Sequence, residues 1–208
     1  MHVKIKNCGL RTPEAIDQSI LTGASFIGFV HHESSPRHVS IAAMAKLIQH
    51  TRGQAKTVAV TVNPSDALLD EIMRDVNPDF IQLHEVASPT RIEALGMRYG
   101  KPVITALSVR SEADLTYVAA LEEVSAHLLF DAKHPGGGKP FDWKLLAHLA
   151  LHKHWFLAGG LTPANVAEAI RITHAPMVDV SSGIEDSPGN KSLEKIAAFN
   201  AAVLNAKA

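Results

Sequence analysis

The sequence contains a single cysteine, Cys8, in 208 residues, and aromatic side chains make up only 5% of it. One cysteine cannot form an internal disulfide, so a disulfide-stapled secreted fold is excluded. It also excludes four-cysteine zinc sites and iron–sulfur clusters held by one chain. With few aromatics and a formal net charge of -1, the chain has neither stacking platforms nor a basic field, so no nucleic-acid partner is expected.

Long apolar runs and a targeting segment are absent from the sequence as well. No run approaches the roughly 18–20 residues of a membrane span, and residues 1–6 lack the apolar region of a signal peptide. We therefore expect a cytoplasmic protein with no membrane partner. The composition, 46% hydrophobic and 20% charged, is typical of globular proteins, and no linker divides the chain. Residues 1–208 are expected to form one domain.

Short apolar segments alternate with longer amphipathic segments along the chain. The predicted strands are 3–8, 25–30, 57–62, 79–84, 102–107, 127–131, 155–158 and 177–181, and the predicted helices are 13–21, 41–51, 65–76, 89–99, 112–122, 143–152, 163–170 and 192–204. Strands that alternate with helices pair in parallel through right-handed crossovers. The eight units predict a compact α/β fold, a (β/α)8 TIM barrel with eight parallel strands, and an open doubly wound sheet is the alternative.

In such a barrel the active site lies at the carboxyl ends of the strands. Cys8 ends the first predicted strand and shares a strand face with Lys6, whereas Asn7 belongs to the opposite face. A free cysteine is commonly an inert buried side chain. At this position, however, the thiol could act as a general base if a nearby cation lowered its pKa.

Three more polar side chains fall at or near predicted strand ends. Asp131 directly follows an apolar run, so desolvation would raise the pKa of its carboxyl and suit it to a general acid; a helix cap or loop salt bridge is the alternative. Arg37 lies in the loop after the second strand, where its forked guanidinium suits a carboxylate, although most loop arginines are merely solvated. His84 ends the fourth strand. The 12 histidines lack partners at metal-ligand spacing, so no metal site is expected.

Two loops that contain glycine follow the seventh and eighth predicted strands. Their candidate phosphate-binding residues are Gly159, Gly160, Ser181, Ser182 and Gly183. Glycine lets backbone N–H groups approach an anion, and these two loops are the recurrent phosphate site of the (β/α)8 barrel. Each loop alone could be a tight turn, but both together favour phosphate.

In this order, these motifs resemble the phosphoribosylanthranilate isomerase family of tryptophan biosynthesis. The matching segments are 6–14, 27–30, 35–39, 82–84, 129–131, 141–143, 157–161 with Pro163, Asn165 and Val166, and 178–183 with Glu185. The resemblance implies an intramolecular aldose–ketose isomerase that needs no metal and no cofactor. Its substrate, a phosphorylated aminosugar, would be N-(5-phosphoribosyl)anthranilate, which an Amadori rearrangement converts to 1-(2-carboxyphenylamino)-1-deoxyribulose 5-phosphate.

The resemblance also implies a role for the matching residues. Asp131 would protonate the furanose ring oxygen and open the ring to a Schiff base, and Cys8 would then remove the C2 proton. Arg37 would hold the anthranilate carboxylate, and His84 would also contact the substrate. Asp179 would line the sugar site, while the two glycine loops would hold the phosphate.

The chain differs from the family pattern at five supporting positions: Asn7, Glu85, Ala87, Thr105 and Ser192 stand where the family usually has Ile, Gly, Glu, Lys and Asp. The glycine run 136–139 differs too. These differences keep open a divergent, non-catalytic phosphosugar-binding barrel. A histidine-pathway type of aminoaldose isomerase is less favoured, because such enzymes usually carry an Asp where Cys8 ends the first strand. Both a monomer and a homodimer remain compatible with the sequence.

Overall fold

Eight parallel strands close into a barrel in the computed structural model, which describes residues 2–51, 53–86, 88–132 and 141–206. The strands are β1 Lys4–Cys8, β2 Phe26–Val30, β3 Lys56–Val62, β4 Phe80–His84, β5 Val103–Val109, β6 His127–Ala132, β7 Phe156–Leu157 and β8 Met177–Val180. They follow each other in chain order around the barrel, and β8 pairs with β1. The predicted (β/α)8 barrel with eight parallel strands is therefore confirmed.

The helices and a small hairpin surround this barrel. The helices are α1 Pro13–Leu21, α2 Ile41–Thr51, α3 Asp66–Asp75, α4 Pro89–Tyr99, α5 Val118–Val124, α6 Val166–Thr173 and α7 Leu193–Leu204. Two short antiparallel strands, β9 Glu185–Ser187 and β10 Asn190–Lys191, form a hairpin after β8. Among the described residues, no helix has the length and apolar character needed to cross a membrane.

The prediction of a helix at residues 143–152 is wrong. Only a 3₁₀ turn, Trp143–Leu146, forms there. The Glu122 carboxylate accepts hydrogen bonds from the backbone N–H groups of His152 and Lys153, each at 2.7 Å. Because a side chain satisfies these donors, the segment reaches β7 without needing helical hydrogen bonds.

The helix predicted at residues 112–122 is divided in two. A 3₁₀ turn, Glu112–Leu115, precedes α5. The Asp114 carboxylate accepts from the backbone N–H groups of Arg110 and Ser111, which closes a separate local turn. Side chains of this kind compete with the helical hydrogen-bond pattern, and the sequence periodicity does not reveal the outcome.

The apolar core has two layers, one between strands and helices and one inside the barrel. Aromatic rings close the amino-terminal end of the barrel, where Phe26 lies 5.6 Å from Phe80 and 5.2 Å from Phe156 between ring centroids. Each of these residues is the first of its strand. His127, the first residue of β6, packs among these rings, and the polar side chains of the candidate site lie toward the opposite end, where the strands finish.

Candidate active site

Cys8 and Lys6 point into the barrel from the same face of β1. Cys8 is 6% exposed and Lys6 is fully buried. The Lys6 ammonium donates to Asp179 on β8, with Nζ and Oδ1 2.7 Å apart, and the two residues are direct neighbours in the β1–β8 register. A methyl group added to Gly28 on β2 would lie 2.9 Å from Cys8 Sγ and 3.1 Å from Lys6 Nζ. The absence of a side chain at Gly28 thus leaves the space that the thiol and the ammonium share.

The ionisation of Cys8 reflects two opposing effects. Burial raises the pKa of the Cys8 thiol, while the positive charges of Lys6 and Lys191 offset part of this rise. A nearby cation, which the sequence analysis named as the condition for Cys8 to act as a base, is therefore present. The two positive charges do not bring the pKa below its ordinary value, however, because the loss of hydration outweighs them. The thiol is consequently the main form of Cys8 at neutral pH.

Asp131 lies near the end of β6 and holds its proton unusually tightly. Burial, followed by the negative charge of Asp179, raises the pKa of the Asp131 carboxyl to about 7. Its Oδ1 accepts the N–H of Ala132 at 2.7 Å, and a methyl group added to Gly159 would come within 3.0 Å of the same oxygen. The rise expected from desolvation is thus present. A substantial fraction of this carboxyl is protonated at neutral pH, as a general acid requires.

The proposed acid and base belong to strands on different sides of the barrel mouth. Cys8 ends β1 and Asp131 lies in β6, with β7 and β8 between the two strands. Asp179, on β8, is electrostatically coupled to both residues. A sugar that occupied the mouth would therefore have the partly buried Asp131 carboxyl on one side and the thiol on another.

Arg37 is held in place by Glu185, a residue that matches the family pattern but to which the sequence analysis gave no role. Its Nε lies 2.7 Å from Oε1 of Glu185, and its Nη2 lies 2.8 Å from Oε2. The Arg37 stem packs on Gly9, the residue after Cys8, where an added methyl group would be 2.8 Å from Cδ. Two of the five guanidinium N–H groups bind Glu185, and the other three have no partner among the described residues and can meet a ligand.

Lys191 completes this charged group. Its ammonium contacts Glu185 Oε1 at 2.7 Å and the carbonyl oxygen of Ser181 at 2.9 Å. The Ser181 hydroxyl in turn donates to the carbonyl oxygen of Cys8 at 3.1 Å. A chain of polar contacts therefore links the β9–β10 hairpin to the end of β1.

His84 lies at the end of β4, as predicted, and is a neutral imidazole at physiological pH. Burial, the charge of Lys6 and the nearby His32 lower the pKa of His84 to about 4. The Nε2 atoms of His84 and Gln82 are 2.8 Å apart, so the Gln82 amide donates to an unprotonated ring. Within the described ranges, no group of three or more His, Cys, Asp or Glu side chains could hold a metal ion.

The two candidate phosphate loops lie against each other. Gly159 and Gly160 have φ angles of 83° and 68°, in the left-handed region that favours glycine. Gly183, in the loop after β8, touches the backbone of Leu161 in the loop after β7 so closely that an added methyl group would overlap its carbonyl oxygen. Ser182 begins a 3₁₀ turn, whose first N–H groups have no partner within the turn.

Asn165 fixes the loop after β7 and moves the start of the following helix. Its side chain accepts from the N–H of Thr162 at 2.7 Å and donates to the carbonyl oxygen of Gly160 at 2.9 Å. The helix predicted at 163–170 therefore begins three residues later than predicted, as α6 at Val166. These contacts hold the glycine loop in one shape without a ligand.

Lys6, Glu185 and Lys191 were not predicted as site residues. The signal for Lys6 was available, because a residue two positions before Cys8 on a strand must face the same side. Glu185 and Lys191 come from the hairpin after β8, which no strand prediction covered. Their contacts with Arg37 and Ser181 depend on folding distant parts of the chain together.

Three of the unusual residues have polar partners. Asn7 faces α1, where its amide donates to the Ser19 hydroxyl at 3.0 Å. The Thr105 and Ser125 hydroxyls lie 2.7 Å apart. Ser192 is the N-cap of α7, so it supplies the capping oxygen that an Asp would supply. These substitutions are accommodated away from the thiol and the acid.

Glu85 stands where the family usually has glycine, and its backbone explains that preference. Its φ is 58°, in the left-handed region where a side chain is strained. Ala87 and the glycine run 136–139 lie outside the described residues.

Comparison with known sequences agrees with this geometry. The model of the family described as PRAI, N-(5'-phosphoribosyl)anthranilate (PRA) isomerase, matches residues 5–202. An N-(5'-phosphoribosyl)anthranilate isomerase from Caulobacter vibrioides is 46% identical over 210 residues, which cover 97% of this chain and 96% of the relative.

Solved structures show the same relationship. The phosphoribosyl anthranilate isomerase from Thermus thermophilus superposes with a TM-score of 0.87 at 28% identity, over 97% of this chain and 98% of that one. A phosphoribosyl anthranilate isomerase in complex with reduced 1-(o-carboxyphenylamino)-1-deoxyribulose 5-phosphate superposes with a TM-score of 0.84 at 28% identity and the same coverage. With its closed barrel and its full-length match to the family, the chain belongs to the N-(5'-phosphoribosyl)anthranilate isomerase family.

Proposed function

We propose that Asp131 and Cys8 are the general acid and general base with which this chain isomerises N-(5-phosphoribosyl)anthranilate to 1-(2-carboxyphenylamino)-1-deoxyribulose 5-phosphate. One observation carries this assignment. A partly buried carboxyl whose pKa is raised to about 7 and the chain's one thiol stand at the mouth of the same barrel, on strands separated by β7 and β8. The reaction needs one proton given and one taken on a single sugar, and this pair supplies both functions.

Asp131 acts first in this scheme. Its carboxyl donates its proton to the furanose ring oxygen, the bond between that oxygen and C1 breaks, and the anilino nitrogen lone pair forms the C1=N bond of the Schiff base. A carboxyl with its ordinary pKa would be almost fully ionised at neutral pH and could not donate. Burial of Asp131 keeps the donating form populated.

Cys8 acts second. Its thiolate takes the proton from C2, and the electron pair of the C2–H bond moves into the C1–C2 bond as the C1=N electrons return to nitrogen. The resulting enolamine gives the ketone by tautomerisation, which places a proton on C1 and removes one from the C2 hydroxyl. A thiolate whose pKa lies above the ordinary thiol value is scarce but strongly basic.

The protein offers positively charged or hydrogen-bond-donor groups to both the phosphate and the carboxylate end of the substrate. We assign the phosphate to the backbone N–H groups of the adjoining loops at Gly160 and at Ser182 and Gly183. We assign the anthranilate carboxylate to the three free N–H groups of Arg37, whose plane Glu185 already orients. His84, as a neutral ring, and Asp179 remain assigned to the sugar.

Turnover by the wild-type protein tests this function directly. Loss of the fluorescent anthranilate adduct should follow saturation kinetics, and chelators should leave the rate unchanged. Binding of the reduced product analogue without any turnover would contradict the proposal and would support the non-catalytic phosphosugar-binding barrel.

Three other expectations remain predictions: a single barrel domain over residues 1–208, a monomer or a homodimer in solution, and a cytoplasmic location. Limited proteolysis, sedimentation at several protein concentrations and cell fractionation would test them in that order. The proposed chemistry requires neither a particular oligomeric state nor a particular location, because every site residue named above comes from one chain.

A further inference from the structure

Lys6 is a charged side chain in a place where a charge destabilises the fold. It is fully buried inside the barrel, where its ammonium donates a hydrogen bond to Asp179. A buried ion pair is often no more stabilising than a well-packed apolar pair of similar volume, because both charges lose their hydration. The Lys6–Asp179 pair therefore calls for a role other than stability.

The position of the ammonium indicates that role. Lys6 Nζ and Cys8 Sγ both lie over Gly28, within 3.1 Å and 2.9 Å of a methyl group placed there. One of the three ammonium N–H groups binds Asp179, so two remain for the sulfur and for water or substrate. The geometry matches that of a cation beside a thiolate.

The other charges that face Cys8 are Asp179 on β8 and Lys191 on the hairpin. Lys191 is already engaged, since its ammonium contacts both Glu185 and Ser181. Asp179 is negative and opposes ionisation of the thiol. Lys6, which also faces Asp131 and His84, is therefore the positive charge placed most directly at the sulfur.

We propose that Lys6 is a positioning residue that supplies the counter-charge of the Cys8 thiolate, so that the ionised fraction of this base depends on Lys6. The inference rests on the proposed function, in which Cys8 removes the C2 proton. Before the reaction the Cys8 thiol gives its proton to solvent, and the thiolate then takes the proton from C2. Lys6 keeps its own proton throughout.

Asp179 has a complementary part in this arrangement. By accepting from Lys6 it fixes the ammonium within the barrel, and its negative charge opposes part of the effect of Lys6 on the ionisation of the thiol. Burial acts to lower the pKa of the Lys6 ammonium, but Asp179 and Cys8 more than offset this effect and raise it above its ordinary value, so Lys6 remains charged.

The test is a titration of the Cys8 thiol by its ultraviolet thiolate absorbance. Because the chain has a single cysteine, the difference from Cys8→Ser reports on this group alone. The first variant is Lys6→Met. The second combines Lys6→Met with Asp179→Asn. Because the double variant has no unpaired buried carboxylate, it keeps the test valid if the single variant does not fold. Lys4→Met is the matched control, since Lys4 lies on the same strand and face but is exposed.

We expect the pKa of the Cys8 thiol to be higher in Lys6→Met than in wild type by about one unit or more. In the double variant it should also be higher, but by less. For Lys6→Met, kcat should fall about tenfold per unit while KM changes little, and Lys4→Met should match wild type in both. A folded double variant whose thiol titrates as in wild type would overturn the proposal. Full activity of Cys8→Ser would instead overturn the base role, while the thiol titration would still report on Lys6.

Discussion

Arg37 and Glu185 form a two-point ion pair in which Nε and Nη2 of the guanidinium each meet one carboxylate oxygen, at 2.7 and 2.8 Å. Both side chains are nearly buried, with 11% and 5% exposed. The pair joins the loop after β2 to the β9–β10 hairpin. Arg37 therefore has a fixed orientation before any substrate carboxylate arrives, which lowers the entropy cost of binding it.

Replacing Glu185 by Gln should weaken both the fold and substrate binding. The change leaves Arg37 and Lys191 as buried cations without their shared carboxylate, and breaking such a pair costs about 3 kcal/mol of unfolding free energy. Because the guanidinium also loses its orientation, KM should rise about tenfold or more, with a smaller change in kcat. Urea unfolding and steady-state kinetics measure the two effects.

Asp186→Asn is the matched control for this prediction. Asp186 is the next residue of the hairpin, is exposed, and pairs with Lys195 at the surface, with Nζ and Oδ1 2.9 Å apart. Exposed pairs of this kind contribute little to stability. Equal KM values for Glu185→Gln and wild type would contradict the orienting role of Glu185.

Replacing Asp131 by Asn should abolish activity and stabilise the fold at alkaline pH. The folded-state pKa of Asp131 is raised to about 7 by burial, so its contribution to stability is full below pH about 4 and is lost as the pH rises through about 7. Asn has no carboxyl to ionise, so the stability of Asp131→Asn does not fall in this way as the pH rises. At pH 8 it should exceed wild type by about 1–3 kcal/mol of unfolding free energy, and at pH 4 the two should converge.

Urea unfolding of both proteins at pH 4 and pH 8, together with turnover at pH 7, measures this prediction. A variant that is less stable than wild type at pH 8 would show that the Asp131 carboxylate is stabilised in the folded protein. Turnover within tenfold of wild type would move the general acid to another residue.

The pH dependence of kcat/KM should have two limbs that belong to the acid and the base. The active form carries a protonated Asp131 and an ionised Cys8. Because the pKa of Asp131 is about 7 and the pKa of Cys8 is raised above that of an ordinary thiol, activity should increase up to about pH 7, stay level, and fall only above the thiol value. Initial rates measured from about pH 5, roughly 2 units below the pKa of Asp131, to about pH 10.5 cover both limbs. A single falling limb centred near pH 7 would contradict the assignment.

Glu85→Gly should be tolerated. The left-handed backbone at Glu85 costs about 1 kcal/mol for a residue with a side chain, whereas the extra freedom of glycine in the unfolded chain offsets part of the gain. Unfolding free energy should therefore increase slightly, by about 0–1 kcal/mol, with kcat unchanged. A large loss of stability on thermal unfolding would show that the Glu85 side chain makes a contact the fold needs.

The fold was predictable because its periodic signals are local. Alternation along 3–8 placed Cys8 and Lys6 on one face of the strand and Asn7 on the other, and the barrel confirms this division. The helix prediction for 143–152 was wrong because the deciding contact is not local. The apolar pattern of this segment suits a helix, but the Glu122 carboxylate, from a preceding helix, takes up the backbone donors near its end.

In the candidate site, too, the sequence predicts the residues whose position is set locally and misses those brought in by distant contacts. Strand ends pointed to Cys8, His84 and Asp131, since topology alone brings the ends of parallel strands together. The charges that tune these groups could not be found by position. Arg37 and Glu185 are 148 residues apart in the chain, and Lys6 and Asp179 are 173 apart. Their pairing follows from barrel closure and from the hairpin after β8.

The most direct test of the acid–base assignment is the turnover of Cys8→Ser, measured beside its affinity for the reduced product analogue. A serine hydroxyl keeps the shape of the site but is a far weaker acid than a thiol, so the base is lost while the binding groups remain. The account predicts that kcat falls about 10²–10⁴-fold while the dissociation constant of the analogue stays within about threefold of wild type. A kcat within tenfold of wild type would contradict it.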